Sequence, residues 1–391
     1  MRLTPSDIVS CHRPTRCDLR VFLRHRGVEE EAPSPFDEIL QRLGLRHEKD
    51  HLATLGAFAD LSDASFHEQV KRTADAIAKK VPVLYQAAFL VTEKIGESEV
   101  EIVGVSDYLI LDGSGYLIRD SKMSRRIDEK NHPEILLQVQ LYGWLFEKSC
   151  GVAPKGLQVH SGTGEIVAIP YDGGASALQE LERLLTIIQL SAEPYEPVGW
   201  SKCSVCGFHD RCWKKAESSR DVSLVIGIDQ GLARKLHETG TDTIEEFLTK
   251  YDAPTLSQLK RPYGKGERRV GKDAEPILQC AEALQANKEI FLATAAIPAS
   301  PNFVMFDLEG MPPHLDELDR IYLWGAQVFG EKPSEFMAAI SGFGPDGGER
   351  YVKCRFYFVG GYTSGEPKRA SPMCGKEQER MAGQYVSESL G

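Results

Sequence analysis

Residues 104 to 122 constrain the fold more than any other stretch, because a two-residue turn decides how two acidic positions meet. The run from Val100 to Ile118 has β character and is interrupted by Asp112-Gly113-Ser114-Gly115. Gly-Ser as a two-residue loop suits a type II′ hairpin, whose first central residue needs a positive φ. With Gly113 and Ser114 at the tip, Asp112 faces Gly115, and counting back five residues on each strand sets Asp107 across from Asp120. Directly opposed side chains hold their Cβ atoms about 4.5 to 5.5 Å apart. Lys122, two residues past Asp120, projects from the same face if the strand continues.

Opposed carboxylates with a lysine beside them suit divalent-metal hydrolysis of a phosphodiester. Ionised Asp oxygens are hard ligands for Mg²⁺ or Mn²⁺, and like charges that close are stabilised by a cation between them. Such a cation lowers the pKa of bound water, while Lys122 can orient that water or offset developing negative charge. Taken alone, the same residues also describe an ordinary hairpin with an acidic strand end and a surface lysine.

Flanking segments narrow the choice. Gly104-Val-Ser-Asp107, Asp120-Ser-Lys122 and Gln138-Val-Gln-Leu-Tyr142 resemble, in order and spacing, the GxxD, DxK and QxxxY motifs of RecB-type nucleases, and Gly44-Leu-Arg-His47-Glu48 resembles their GxxHE. The resemblance spans about residues 3 to 215 and implies an α/β fold of the PD-(D/E)xK restriction-endonuclease-like type, a mixed central sheet flanked by helices. It implies that His47, Asp107, Asp120 and the backbone carbonyl of Ser121 hold Mg²⁺ or Mn²⁺. Gln138 and Tyr142, an i, i+4 pair on one helix face, would brace Lys122 or the DNA strand. DNA is the implied partner, with single-stranded ends the expected substrate and exonucleolytic cleavage the expected activity. A competing motif is His47-Glu-Lys-Asp-His51, a literal HExxH zinc-protease match for which Glu68 is the one plausible third ligand.

The nine cysteines of a chain without a secretory leader are expected to be reduced, so clustered thiols suggest a metal centre before a disulfide framework. Cys203, Cys206 and Cys212 follow CxxCx5C spacing, one ligand short of a zinc or iron–sulfur site. Cys17-Asp-Leu-Arg-Val-Phe-Leu23 resembles the segment with which the iron–sulfur subset of these nucleases, including AddB and the CRISPR adaptation nucleases, supplies its first cysteine. The resemblance therefore implies a [4Fe-4S] cluster on Cys17, Cys203, Cys206 and Cys212, with Cys11 the alternative to Cys17. A structural Zn²⁺ completed by His209 or His12 is the competing reading. Cys150, Cys280, Cys354 and Cys374 are isolated.

A length of 391 residues suggests two or three domains. Helical periodicity marks roughly 35–55, with His47 on its apolar stripe, then 67–80, 134–148 and 178–188, and a second hairpin fits 157–171. The first domain closes near 218. Residues 222–250 read as two short helices around Gly240 and resemble a helix-hairpin-helix with Gly227 in its turn; a plain helical linker fits equally. The basic run 260–272, with Lys260, Arg261, Arg268 and Arg269, strengthens a DNA-binding reading if it shares a face with that hairpin. Arg13, Arg16, Arg20, Arg24 and Arg26 form a second basic run, set against a net charge of −11 that disfavours a protein coating nucleic acid.

Phe303 to Asp307 reads as a buried strand ending in acid, and Asp307-Leu-Glu309 resembles the first motif of DEDD exonucleases of the ribonuclease H type. The order of parts resembles a family of nucleases built from the same three modules. The expected organisation is a nuclease domain (1–218), a helical module (219–295) and an incomplete ribonuclease H-like α/β fragment (296–391), inactive and ending in a disordered tail. No stretch reaches the ~20 apolar residues needed to cross a bilayer, so a cytoplasmic protein is expected. A DNA-tethering protein with a vestigial site is the non-enzymatic alternative.

Overall fold

The computed structural model describes residues 1–263, 266–291, 300–310, 321–340, 342–343 and 349–350. Those up to 291 form one compact unit and those from 300 another. The first unit opens with β1 (Arg2–Leu3), α1 (Pro5–His12), α2 (Asp18–His25), α3 (Pro35–Thr54), β2 (Ala59–Asp60) and α4 (Phe66–Ala78). It continues with β3 (Val83–Ile95), β4 (Ser98–Asp112), β5 (Gly115–Ser121), α5 (Pro133–Cys150), β6 (Gly156–His160), β7 (Ile166–Ile169), α6 (Ala175–Ile188) and α7 (His209–Ser219). Local chemistry sets several boundaries. Ser34 and Asp37 form a capping box ahead of Pro35 at the start of α3. Pro133 opens α5, and Gly151 at φ 71° ends it.

The strands make a mixed sheet in the order β2-β3-β4-β5-β6-β7, with β1 added parallel to β4. Strand β4 runs antiparallel to both β3 and β5, β6 runs parallel to β5, and β7 returns antiparallel to β6 as the second expected hairpin. The first hairpin has the anticipated register: Asp112 pairs Gly115 and the ladder runs back to Tyr108–Arg119, with Gly113 at φ 66°. Side chains alternate between two layers. Leu84, Ile102, Leu109 and Ile118 enter the main core with Leu141, Leu145 and Phe146 of α5, whereas Tyr85 and Tyr108 pack with Leu52 of α3.

The structure departs from the sequence expectations in three places in this region. Strand β3 was not anticipated, because its first half, Val83–Leu90, is almost wholly buried and shows no clean alternation. The apolar stripe of α3 packs only in its second half, leaving Ile39 and Leu45 exposed. The N-terminal arginines are largely spent inside the domain: Arg13 pairs Glu134, Arg20 pairs Glu30, and Arg26 donates to the Leu190 carbonyl.

Residues 222–286 build a second hydrophobic core within the same unit, so a change of core rather than a gap in packing marks position 218. Its elements are α8 (Gln230–Glu238), α9 (Ile244–Lys250), α10 (Ala253–Gln258), the hairpin β8 (Lys260–Tyr263) and β9 (Gly266–Arg269), and α11 (Ala274–Ala286). Gly227 at φ 95° and Gly240 at φ 68° occupy the turns. Arg261 is buried and pairs with Asp229, the N-cap of α8. Its charge therefore holds the hairpin to the helix and is not offered outward. Lys260 and Arg269 are exposed, and Arg268 is half-exposed near Asp273.

The second unit contains the antiparallel meander β10 (Phe303–Gly310), β11 (Ile321–Phe329) and β12 (Met337–Ile340). The acid-ended strand is where the sequence puts it, but it is not buried: Phe303, Val304, Met305 and Phe306 are all exposed, as is Asp307. Among the described residues of this unit no helix covers the sheet. The side chain of Glu309 and the expected disordered tail lie outside the described residues. No helix among the described residues is long and apolar enough to cross a membrane.

Candidate active site

The two aspartates meet where the sheet comes apart. Strand β4 takes β1 at Glu101–Ile102 and β5 from Tyr108 onward, so Asp107 lies between these partners on that edge. On the other edge the β3–β4 ladder skips the Gln86–Asp107 position, and Gln86 adopts φ 59°. Freed from both ladders, Asp107 turns its Oδ2 to accept the Ser121 amide at 2.8 Å. The β4–β5 ladder stops one pair short, at Tyr108–Arg119, and the bond from the Ser121 amide draws Asp107 on toward the Asp120 end of β5. Asp120 follows Tyr116 and Ile118 on the buried stripe of β5 and is only 1% exposed. Lys122 reaches back so that Nζ lies 2.5 Å from Asp120 Oδ2.

Helix α5 closes the site from the core side. Gly104 permits this: a Cβ there would lie 2.8 Å from Leu145 Cδ1 and 3.1 Å from Tyr142 Cε1. Tyr142 is buried and its hydroxyl accepts from Gln138 Nε2 at 2.8 Å. Behind Lys122 the chain is clamped, since a Cβ on Gly162 would stand 1.8 Å from the Met123 carbonyl oxygen. Gly162→Ala is therefore expected to push the backbone beside Lys122 aside and cost about 1–3 kcal/mol, read by denaturant unfolding. An unchanged unfolding midpoint would show that the loop yields without strain.

The electrostatics are those of a site short of positive charge. Burial, then Asp120 and Glu48, push the Asp107 carboxyl well above the usual range, against the opposing pull of Lys122 and the Ser121 amide. Burial disfavours a charged Lys122, but Asp120, Asp107 and Glu48 outweigh it and raise its pKa, so it stays an ammonium. Burial and the same two aspartates hold the Tyr142 phenol far above its ordinary value, keeping it neutral.

Two residues that the sequence reading left without a role join the site. Gln86 Nε2 donates to Glu48 Oε1 at 2.8 Å and lies 3.3 Å from Asp107 Oδ1. Glu48 stood beside His47 in the motif and could have been found there. Gln86 carries no signal, because its role follows from a local backbone reversal.

His47 approaches from α3 and stacks on His160, whose Nδ1 lies 3.0 Å from the Ser121 hydroxyl. The ligand atoms of His47, Asp107 and Asp120 are not all within 4.8 Å of one another. His51 stacks on the same His160 ring, and its Nε2 lies 3.1 Å from the Arg119 guanidinium. Burial, then Arg119 and His47, depress the His51 pKa to about 4. These contacts give the residues of the HExxH match other partners. A guanidinium stands where zinc would bind His51, Glu48 is engaged with Gln86, and Glu68 pairs Arg72 on exposed α4.

The residues present fit a divalent cation. Among the described residues, His47 Nε2 is buried without a hydrogen-bond partner, and buried Asp120 Oδ2 has the Lys122 ammonium at 2.5 Å as its one neighbour of opposite charge. Asp107, Asp120 and Glu48 are opposed by one ammonium. A hard dication answers both deficits.

Cys17, Cys203, Cys206 and Cys212 line one cavity together with His209, Glu196 and Phe208. Cys11 is elsewhere, its sulfur accepting from Arg183 in a group with His12 and Glu180. Burial raises the Cys17 and Cys203 thiols and pushes Cys212 up to about 11, and neighbouring cysteines add to each shift. Backbone support is present: the Gly199 amide donates to Cys203 Sγ at 3.2 Å.

Residues 19–213 match the PD-(D/E)XK nuclease superfamily. No curated protein matches the chain. Among solved structures, the crystal structure of SSO0001 aligns with 46% of this chain and 97% of its own at 18% identity, with a TM-score of 0.25.

Proposed function

Because residues 19–213 form a PD-(D/E)XK nuclease superfamily domain, we propose that the protein is a metal-dependent DNA nuclease that cleaves at single-stranded ends. The observation that carries this reading is the buried Asp107–Asp120–Lys122 arrangement at the splayed end of β4 and β5. Asp107, Asp120, the Ser121 carbonyl and His47 would hold Mg²⁺ or Mn²⁺. Bound there, the ion would supply an acidified water and charge withdrawal from the phosphate. Lys122, kept cationic by the aspartates, is placed to orient that water and to offset charge growing on the phosphate oxygens. Neutral Tyr142, steadied by Gln138, offers a hydroxyl to the same region and excludes water from the core side.

For the cysteine cavity the proposed occupant is a [4Fe-4S] cluster. Four cysteines lining one cavity make up a complete set of thiolate ligands, which supports a cluster held by sulfur alone. His209, whose Nδ1 is buried and unpartnered among the described residues, is what a zinc reading would use. The module at 222–286 would contact DNA through the Gly227 turn and the exposed Lys260, Arg268 and Arg269. Asp307 and Glu309 are assigned no activity.

The decisive experiment digests labelled single-stranded DNA, blocked at its 5′ or 3′ end, with and without Mn²⁺. Metal-dependent shortening from one unblocked end is expected. Binding without cutting in either metal would establish a tether instead.

A further inference from the structure

The group between Glu48 and Asp107 is a neutral amide. Two-metal hydrolases set their ions about 3.5–4 Å apart around a shared carboxylate. Asp107 is the carboxylate that would be shared here, and Glu48 is the acid placed to hold the second ion. Yet the space between Glu48 Oε1 and Asp107 Oδ1 is filled by Gln86 Nε2, at 2.8 Å and 3.3 Å. With acceptors on both sides, the amide must present its nitrogen, and that nitrogen has two hydrogens to give and no lone pair for a metal.

The backbone aims Gln86 there. Its φ of 59° is left-handed, a conformation that strains a non-glycine residue. The β3–β4 ladder drops its pair at Gln86–Asp107, and the Gln86 carbonyl is anchored by Gln69 Nε2 of α4 at 2.6 Å. Strain and anchoring together aim the side chain between two carboxylates.

We infer that the Gln86 amide takes the place of a second cation, so that this site binds one divalent ion. The inference rests on the metal-dependent reading above. Charge agrees with it: an amide ties Glu48 to Asp107 without cancelling charge. Asp107, Asp120 and Glu48, when ionised, then exceed Lys122 by two, the charge of a single dication.

Full-length protein titrated with Mn²⁺ and followed by electron paramagnetic resonance tests this without any assay of cleavage. The wild type is expected to bind one ion that Asp120→Asn removes, with no spin-coupled manganese pair even at about tenfold excess. Gln86→Glu adds the missing carboxylate and should admit a second ion, seen as a coupled pair. A coupled pair in the wild type overturns the inference and leaves the nuclease reading standing, whereas no Mn²⁺ sensitive to Asp120→Asn defeats both. A Gln86→Glu protein that unfolds like the wild type but binds no extra ion also overturns it. Should Gln86→Glu not fold, Glu48→Gln decides: an unchanged count supports the inference, and loss of an ion refutes it.

Discussion

Asp120→Asn is expected to lower Mg²⁺- or Mn²⁺-dependent cleavage by at least ~10²–10³-fold, the scale on which loss of one preorganised electrostatic group acts. The substitution keeps the volume of a side chain that is 1% exposed, so the β4–β5 hairpin and the Ser121–Asp107 bond should persist. It removes one of two carboxylates facing the ion and leaves Lys122 with Asp107 alone. Stability is subject to two opposing effects. The Asp107 carboxyl is pushed up by burial and by Asp120. A carboxyl whose folded pKa exceeds its unfolded value, about 3.9 for Asp, costs stability above that value. The cost is relieved as pH falls from above the folded pKa toward the unfolded one. Removing the Asp120 charge removes part of it but also takes from Lys122 the carboxylate 2.5 Å from its Nζ, so with chelator present the melting temperature should shift by only the difference, ~2–4 °C per net kcal/mol. Thermal unfolding and single-stranded DNA digestion on one preparation measure both effects. Full activity with an unchanged melting curve would show that the acidic pair is ordinary surface chemistry.

The hairpin register was legible because a two-residue turn leaves it no freedom, and Asp112–Gly115 through Tyr108–Arg119 follow from it, the ladder ending one pair short of Asp107 and Asp120. Gly104, read as a motif position, turns out to be the point where Leu145 and Tyr142 press on β4. Gln86 was not legible, since nothing in Tyr85-Gln86-Ala87 announces a left-handed residue inside a strand. The arginines between 13 and 26 misled in the opposite direction. Charge in a sequence does not say whether its partner is solvent, phosphate or Glu30 and Glu134. Exposed β10 shows the same limit, because an apolar run reports a strand but not what covers it. The cysteines were legible as a set through spacing alone for three members. The resemblance favoured Cys17 over Cys11, and the fold puts Cys17 at the N-cap of α2 in the cavity and Cys11 under Arg183.

If the proposed cysteine centre holds a metal, Cys17→Ser is expected to release it and to destabilise the protein by roughly 2–5 kcal/mol, the range for losing a cross-link that closes a long loop. Cys17 is separated from Cys203 by most of the nuclease domain, and local bonds already draw these ends together. The Glu31 amide donates to the Gly207 carbonyl at 2.7 Å, and the Asp210 amide to Glu31 Oε1 at 2.9 Å. The helical module depends on the same junction. Gln230 of α8 donates to the Pro197 carbonyl at 2.9 Å and approaches Cys203 Sγ at 3.8 Å. Arg234 pairs Glu196, whose other oxygen accepts from the Asp18 amide beside Cys17. Loss of the centre should therefore loosen α8 as well as α2, while the β3–β5 hairpins, held by their own core, stay protected. Hydrogen exchange by mass spectrometry resolves the two regions, and metal analysis with visible absorption distinguishes iron from zinc. A Cys17→Ser protein with full metal content and wild-type exchange in α8 would remove Cys17 from the centre and break the proposed link between the domain's two ends.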